Sequence, residues 1–264
     1  MKTKTNIFSM VLLAVVMLCA AGCTKDNGEN NENGGNNGNS WNDGGDNGGG
    51  GNSGGGGNNN GGVELVGTYN GHEYVDLGLP SGTLWATCNV GASTPEGSGS
   101  YFAWGETTTK SSYGFDNYKY GYEDNDGYFH LNKYNTHSEY GPIDNLTVLQ
   151  ASDDAASAKW GSGWRTPSNA EWEELCGHTS ITLTAQNGVK GFCFTASNGG
   201  SIFLPAVGYY TFSELNVYGR TCRYWTNQLS ASEPVRAGTF FSVNENYKLS
   251  ELGRGFGCPV RAVH

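Results

Sequence analysis

Between Asn27 and Gly62, 29 of 36 residues are Gly or Asn, and the one large apolar side chain is Trp41. No other feature constrains the chain as much. A stretch with so little apolar surface cannot offset the entropy of ordering its backbone, so the sequence predicts a disordered connector there. As a flexible coil it would reach about 30–36 Å, at roughly 5–6 Å per square root of residue number. What can fold is residues 63–264, the length of one domain or a compact pair.

The segment before the connector reads as an export signal. Met1-Lys2-Thr3-Lys4 is basic, Ile7 to Leu18 is almost wholly apolar, and Ala20-Ala21-Gly22 brings small residues up to Cys23. The apolar run falls short of the ~20 residues a membrane span requires, so residues 1–22 are expected to be a secretory signal peptide. Small residues before a cysteine resemble a bacterial lipobox, which makes Cys23 the lipidated first residue of the mature chain. Ordinary signal cleavage, leaving Cys23 a free thiol, is the alternative. On the lipobox reading, residues 23–62 tether the domain to the outer membrane through a lipid anchor, with the domain facing the cell surface.

Of the net charge of −10, the signal peptide contributes +2 and residues 24–62 contribute −4, which leaves −8 on the domain. An acidic domain with dispersed Lys and Arg has no electrostatic footprint for nucleic acid or anionic lipid. Seven Trp, fifteen Tyr and eleven Phe among few charges suit an exported binding module, and equally a Gly-turned β-domain without a ligand.

With Cys19 removed and Cys23 acylated, Cys88, Cys176, Cys193, Cys222 and Cys258 remain, an odd number that leaves at least one unpaired within the chain. Cys176, at a helix end, and Cys258, opening the last strand, form the candidate disulfide. Cys88, inside Trp85-Ala86-Thr87-Cys88-Asn89-Val90, reads as a small buried apolar residue. No CxxC and no zinc-spaced Cys/His cluster occurs, so neither a metal nor a cofactor is expected.

The domain reads as α+β, mostly antiparallel strands and long loops with two short helices. Asn70-Gly71 and Ser197-Asn198-Gly199-Gly200 are hairpin signals, the first between Thr68-Tyr69 and His72-Glu73-Tyr74. Leu84–Val90, Tyr101–Trp104, Gly191–Thr195, Ser201–Leu204, Gly238–Val243 and Gly257–Val263 are strand-like. Asp153–Trp160 is a short helix with acids at its start. Ser168-Asn169-Ala170-Glu171 is a capping box that opens a second helix, with Trp172, Leu175 and Cys176 on one face and Gly177 at its end. From Glu106 to Thr147 no period emerges, and tyrosines recur at 113, 118, 120, 122, 128, 134 and 140. Such an excursion is either functional or a large loop whose aromatics pack back on the core.

Several motifs resemble a known family. They are Asp76-Leu77-Gly78-Leu79-Pro80-Ser81-Gly82-Thr83-Leu84-Trp85-Ala86-Thr87, Tyr101-Phe102-Ala103-Trp104-Gly105-Glu106-Thr107, Asp153-Asp154-Ala155-Ala156, Trp164-Arg165-Thr166-Pro167-Ser168, Ile202-Phe203-Leu204-Pro205-Ala206-Val207-Gly208, Tyr224-Trp225-Thr226 and Gly255-Phe256-Gly257-Cys258-Pro259-Val260-Arg261. Together, over about residues 72–263, they are similar to the Fibrobacter succinogenes major paralogous domain family of exported bacterial proteins. That resemblance implies a C-type-lectin-like fold for residues 63–264. It also implies that ligand-contacting residues gather in the C-terminal part, as they do in diversified relatives of that fold.

Lectin-type calcium chemistry is not matched: Trp41-Asn42-Asp43 lies in the connector, and Glu233-Pro234 is followed by Val235. Glu123-Asp124-Asn125-Asp126-Gly127 reads as a solvated acidic turn, since an EF-hand register would place Tyr122 first and Lys133 last. No Gly-x-Ser-x-Gly, HExxH or Cys-His-Asn signature occurs, so no enzymatic activity is expected. The candidate ligand-binding residues are Tyr218, Arg220, Arg223, Tyr224, Asn227, Asn244, Asn246, Tyr247 and Arg254, in sequence that reads as loop-rich and also holds Tyr209 and Tyr210. Tyr offers stiff amphipathic area, and Asn both donates and accepts. Ordinary surface and sheet packing explains the same residues. The expected function is a lipid-anchored, non-catalytic binding or adhesion domain for a glycan or protein ligand, with a structural or accessory subunit of a surface assembly as the alternative.

Overall fold

Asn70 and Gly71 both take positive φ, 48° and 78°, the backbone a two-residue turn between twisted strands requires. They join β1 (Val66–Tyr69) to β2 (His72–Val75), with Val66 opposite Val75. The computed structural model describes residues 65–243 and 246–264. The expected signal peptide, Cys23, the connector and Asn244 lie outside the described residues.

β2 pairs with β3 (Trp85–Asn89), and β4 (Tyr101–Phe102) follows. Then comes the Tyr-rich excursion, which holds one small hairpin, β5 (Gly121–Glu123) and β6 (Phe129–Leu131). Two helices come next, α1 (Ala155–Trp160) and α2 (Asn169–His178). A meander follows: β7 (Thr179–Gln186), β8 (Val189–Ala196) and β9 (Ser201–Pro205). β10 (Tyr209–Thr211) and β11 (Glu214–Asn216) form a hairpin. A second meander contains β12 (Thr221–Leu229), β13 (Arg236–Val243) and β14 (Asn246–Gly253). The last strands return to the first strands of the domain. β15 (Cys258–Pro259) pairs with β4, and β16 (Arg261–Val263) pairs with β3 to complete the sheet β1-β2-β3-β16. Among the described residues every strand pairing is antiparallel.

Two hydrophobic cores lie on either side of three strands. Because successive side chains of a strand point to opposite faces, Trp85 of β3 enters one core and Ala86 the other. Tyr224 and Trp225 of β12 divide in the same way, as do Ala262 and Val263 of β16. The core holding Trp85 is closed by α2: Trp172 is fully buried, stacked on Phe240 at 4.4 Å and edge-on to Trp85 at 4.8 Å. The other core receives the excursion. Tyr113, Tyr118, Tyr120, Phe129, Leu131 and Tyr134 are buried there beside Trp104 and Trp225. The aromatics of the excursion therefore pack it back onto the domain, while Tyr122 and Tyr128 stay exposed.

The capping box forms as the sequence predicts. Ser168 Oγ accepts from Glu171 N, and the Glu171 carboxylate accepts from Ser168 N at 2.8 Å. Arg165 adds a two-pronged ion pair to that carboxylate. Burial pushes the Glu171 carboxyl upward, but the Arg165 and Ser168 bonds outweigh it and hold the pKa at about 2. The helix does not stop at Gly177: it continues to His178 and passes directly into β7. Asp154, not Asp153, caps α1, accepting from Ala156 N and Ser157 N. Asp153 instead accepts from the hydroxyls of Tyr120 (2.6 Å) and Tyr134 (2.7 Å) and from Lys133 Nζ (2.5 Å), and so fastens the excursion.

The Cys176–Cys258 disulfide does not form: all five domain cysteines are free. Cys176 packs against the Trp172 core and Cys258 is buried in the other, so the double-core arrangement holds them apart. Cys88 is half-buried rather than fully buried.

Candidate functional site

The C-terminal region expected to be loop-rich is largely strand, and this sorts the candidate residues. Tyr224 is 0% exposed; its hydroxyl donates to Pro205 O at 3.0 Å, and it packs 5.9 Å from Trp172. Arg254 is also 0% exposed. Its guanidinium donates to Tyr118 Oη, Tyr134 O, Pro234 O and Lys133 O at 2.7–3.0 Å and lies over the rings of Trp104, Tyr118 and Tyr134. Neither reaches a ligand at the surface, so both are corrected to core residues. Arg254 is the clamp between the excursion and the turn after β14. Asn227 is half-buried at the far end of β12, where its backbone bonds Pro167 and Leu149.

Five other candidates lie outside the core, three on the two faces of the β12-β13-β14 sheet and two in the turn before it. Arg223 stands opposite Phe241, and Phe241 opposite Lys248, so these three share one face of the β12-β13-β14 sheet. Asn246 lies two residues from Lys248, on that same face. Tyr247 faces the other way, opposite Ser242 and 6.4 Å from the Phe240 ring. Tyr218 and Arg220 are exposed in the turn that leads into β12.

On the first face the Arg223 guanidinium lies over two aromatic rings, 5.0 Å from the centroid of Tyr209 and 4.6 Å from that of Phe241. Such a cation, less strongly hydrated than an ammonium, keeps its fork of donors while its plane rests on rings. Tyr209 belongs to β10, so this contact joins the sheet to the β10–β11 hairpin. The hairpin is built under strain. Phe212 and Val217, which flank β11, take φ of 52° and 51°, and a bulky or β-branched residue there costs about 1–3 kcal/mol. Phe212 is held by a two-way backbone bridge to Tyr113, and the Val217 carbonyl accepts from the amides of Arg220 and Thr221. In this hairpin and the turn after it, Phe212, Leu215, Val217 and Tyr218 are all exposed, at 39–51%. Beneath them Tyr101, Tyr113 and Tyr210 pack on one another at 4.8 and 5.7 Å. Burial, with smaller contributions from Tyr210 and Tyr218, pushes the Tyr101 hydroxyl up. Phe212, Leu215, Val217, Phe241 and Lys248 were not singled out from sequence; the dense run Tyr209-Tyr210-Thr211-Phe212 with Leu215, Val217 and Tyr218 was the available signal.

The buried charges elsewhere are engaged in structure. Glu106 accepts from Lys110 Nζ and Lys119 N, Asp154 from Thr166 N and the α1 amides, and Arg261 donates to Asn89 Oδ1 and to carbonyls of β3 and β9. Asp124 organises the β5–β6 turn, accepting from the amides of Asp126 and Tyr128 and bonding His130 Nε2 at 2.7 Å. Among the described residues no group of three or more His, Cys, Asp or Glu is placed to hold a metal ion, and no helix is long and apolar enough to cross a membrane. Comparison with family models, with curated proteins and with solved structures returns no match to this chain.

Proposed function

We propose that the chain is a lipid-anchored envelope protein of the outer membrane, whose C-type-lectin-like domain binds a glycan or protein ligand without chemistry. The observation that carries this is the strained β10–β11 hairpin, which exposes Phe212, Leu215, Val217 and Tyr218 beside the ring-stacked Arg223. Exposed aromatics with a nearby guanidinium suit the apolar faces of sugar rings or a peptide's apolar and acidic groups. That the buried acids and arginines hold backbone and neighbouring side chains supports a non-catalytic reading. The lipid anchor at Cys23 rests on the lipobox, and the C-type-lectin-like assignment rests on the family resemblance.

The test is a glycan and mucin-fragment array probed with the full chain in detergent, with calcium and with chelator. Binding should fall at least tenfold in Tyr218→Ala and Arg223→Ala and be unmoved by chelator. Binding that survives both substitutions would place the site elsewhere.

A further inference from the structure

One sheet edge is built unlike the others. β7 is Thr-Ser-Ile-Thr-Leu-Thr-Ala-Gln, paired along its full length with β8 and, among the described residues, with no strand on its other side. An open edge aims N–H and C=O groups of alternate residues outward, and folded proteins guard such edges with charges, Pro or short length. β14 is also an eight-residue edge strand, but it carries Lys248 and Glu251. β1 has four residues and β11 three. β7 carries no charge and no Pro, and the chain gains none until Lys190.

The side chains indicate what fits there. Ile181 and Leu183 stand opposite Phe194 and Phe192, both buried in the Trp172 core, so they lie on the core-side face of the sheet. Ile181 packs on that core, whereas Leu183 is 52% exposed, facing inward at an edge where no further strand covers it. On the opposite face Ser180, Thr182 and Thr184 are exposed.

We propose that β7 is a homodimerisation edge that pairs antiparallel with β7 of a second copy, joining two three-stranded sheets into one of six. A second copy fits for two reasons. An antiparallel pairing about a two-fold axis is self-complementary, and with that axis perpendicular to the sheet the Ile181 and Leu183 side chains of both copies share the core-side face and cover one another. Each domain also carries −8, and because β7 itself holds no charged side chain, two acidic domains can pair there without like charges opposed along the strands. The dimer would carry two hairpin sites, which goes beyond the proposed binding function and does not depend on it.

The test is light scattering of the full chain in detergent, with the micelle's mass subtracted, beside variants with Thr184→Lys and Thr184→Glu. Thr184 is exposed on the outer face, so both should keep the native circular dichroism and melting profile. The unsubstituted chain should show twice the mass of one chain, each variant alone the mass of one, and the two variants mixed should return to twice. A monomeric unsubstituted chain overturns the proposal, including one that captures a foreign strand-forming peptide. A dimer unchanged by both substitutions overturns it too.

Discussion

Arg254 and Arg261 are buried cations whose partners are mainly carbonyl oxygens and, for each, one polar side chain. The planar fork explains the choice of residue, since it can satisfy several fixed carbonyls at once where an ammonium cannot. Replacing Arg254 with Met would strand the carbonyls of Lys133, Tyr134 and Pro234 and should cost about 3–5 kcal/mol. Arg254→Lys should recover little of it, as urea midpoints would show. Glu171 sets an acid limit. Its folded pKa of about 2 lies below the usual carboxylate value, so its stabilisation is fully present above roughly pH 4.5 and is lost as pH falls toward 2. Glu171→Gln should lower stability by about 2–3 kcal/mol at neutral pH and flatten the decline between pH 4.5 and 2. Tyr224 and Arg254 show how residue type misleads: both look suited to ligand contact, and both are engaged inside the domain.

α2 was legible because its signals are local. Ser168, Glu171 and the Trp172/Leu175 face lie within eight residues of one another, and the capping box and buried face formed as expected. Ser168→Ala should cost about 1 kcal/mol through loss of the cap. Trp172→Ala should cost about 3–5 kcal/mol through the cavity left between Trp85 and Phe240. Thermal melts of the two variants should differ accordingly. β12 was not legible, because a strand buried on both faces loses the apolar–polar alternation that marks strands: Tyr224 enters one core and Trp225 the other. β7 and β14 were missed for the opposite reason. As exposed edges they carry Thr, Ser, Asn and Lys, which resemble loop composition, although Ile181 and Leu183 alternate with Thr182 and Thr184.

For the molecule as a whole, the double core governs the thiols. Cys222 and Cys258 are fully buried, and burial pushes both thiols far above their ordinary range. Burial, with a smaller contribution from Glu173, pushes the Cys176 thiol up to about 12. Native alkylation followed by mass spectrometry should therefore modify Cys88 and Cys193 first, and Cys222 and Cys258 only after denaturation. Loss of two thiols together on Cys176 and Cys258, restored by reductant, would contradict the free-thiol arrangement.

The hairpins at Asn70-Gly71 and Ser197–Gly200, the start of α2, and the strand-dominated α+β class were all readable from residues in order. Each rests on backbone preferences and capping bonds that neighbours in sequence supply. Which aromatics are core and which reach solvent was not readable in this way. Tyr218 and Tyr224 lie six residues apart in similar sequence, yet one is 51% exposed and the other 0%. Their difference comes from what closes over β12: the Tyr224 ring packs 5.9 Å from Trp172 of α2, and its hydroxyl meets Asn89 Nδ2 of β3 and Pro205 O of β9, whereas Tyr218 sits in the turn before the strand. Those contacts reach across as many as 135 positions of sequence, and burial is a property of their sum, not of any one segment.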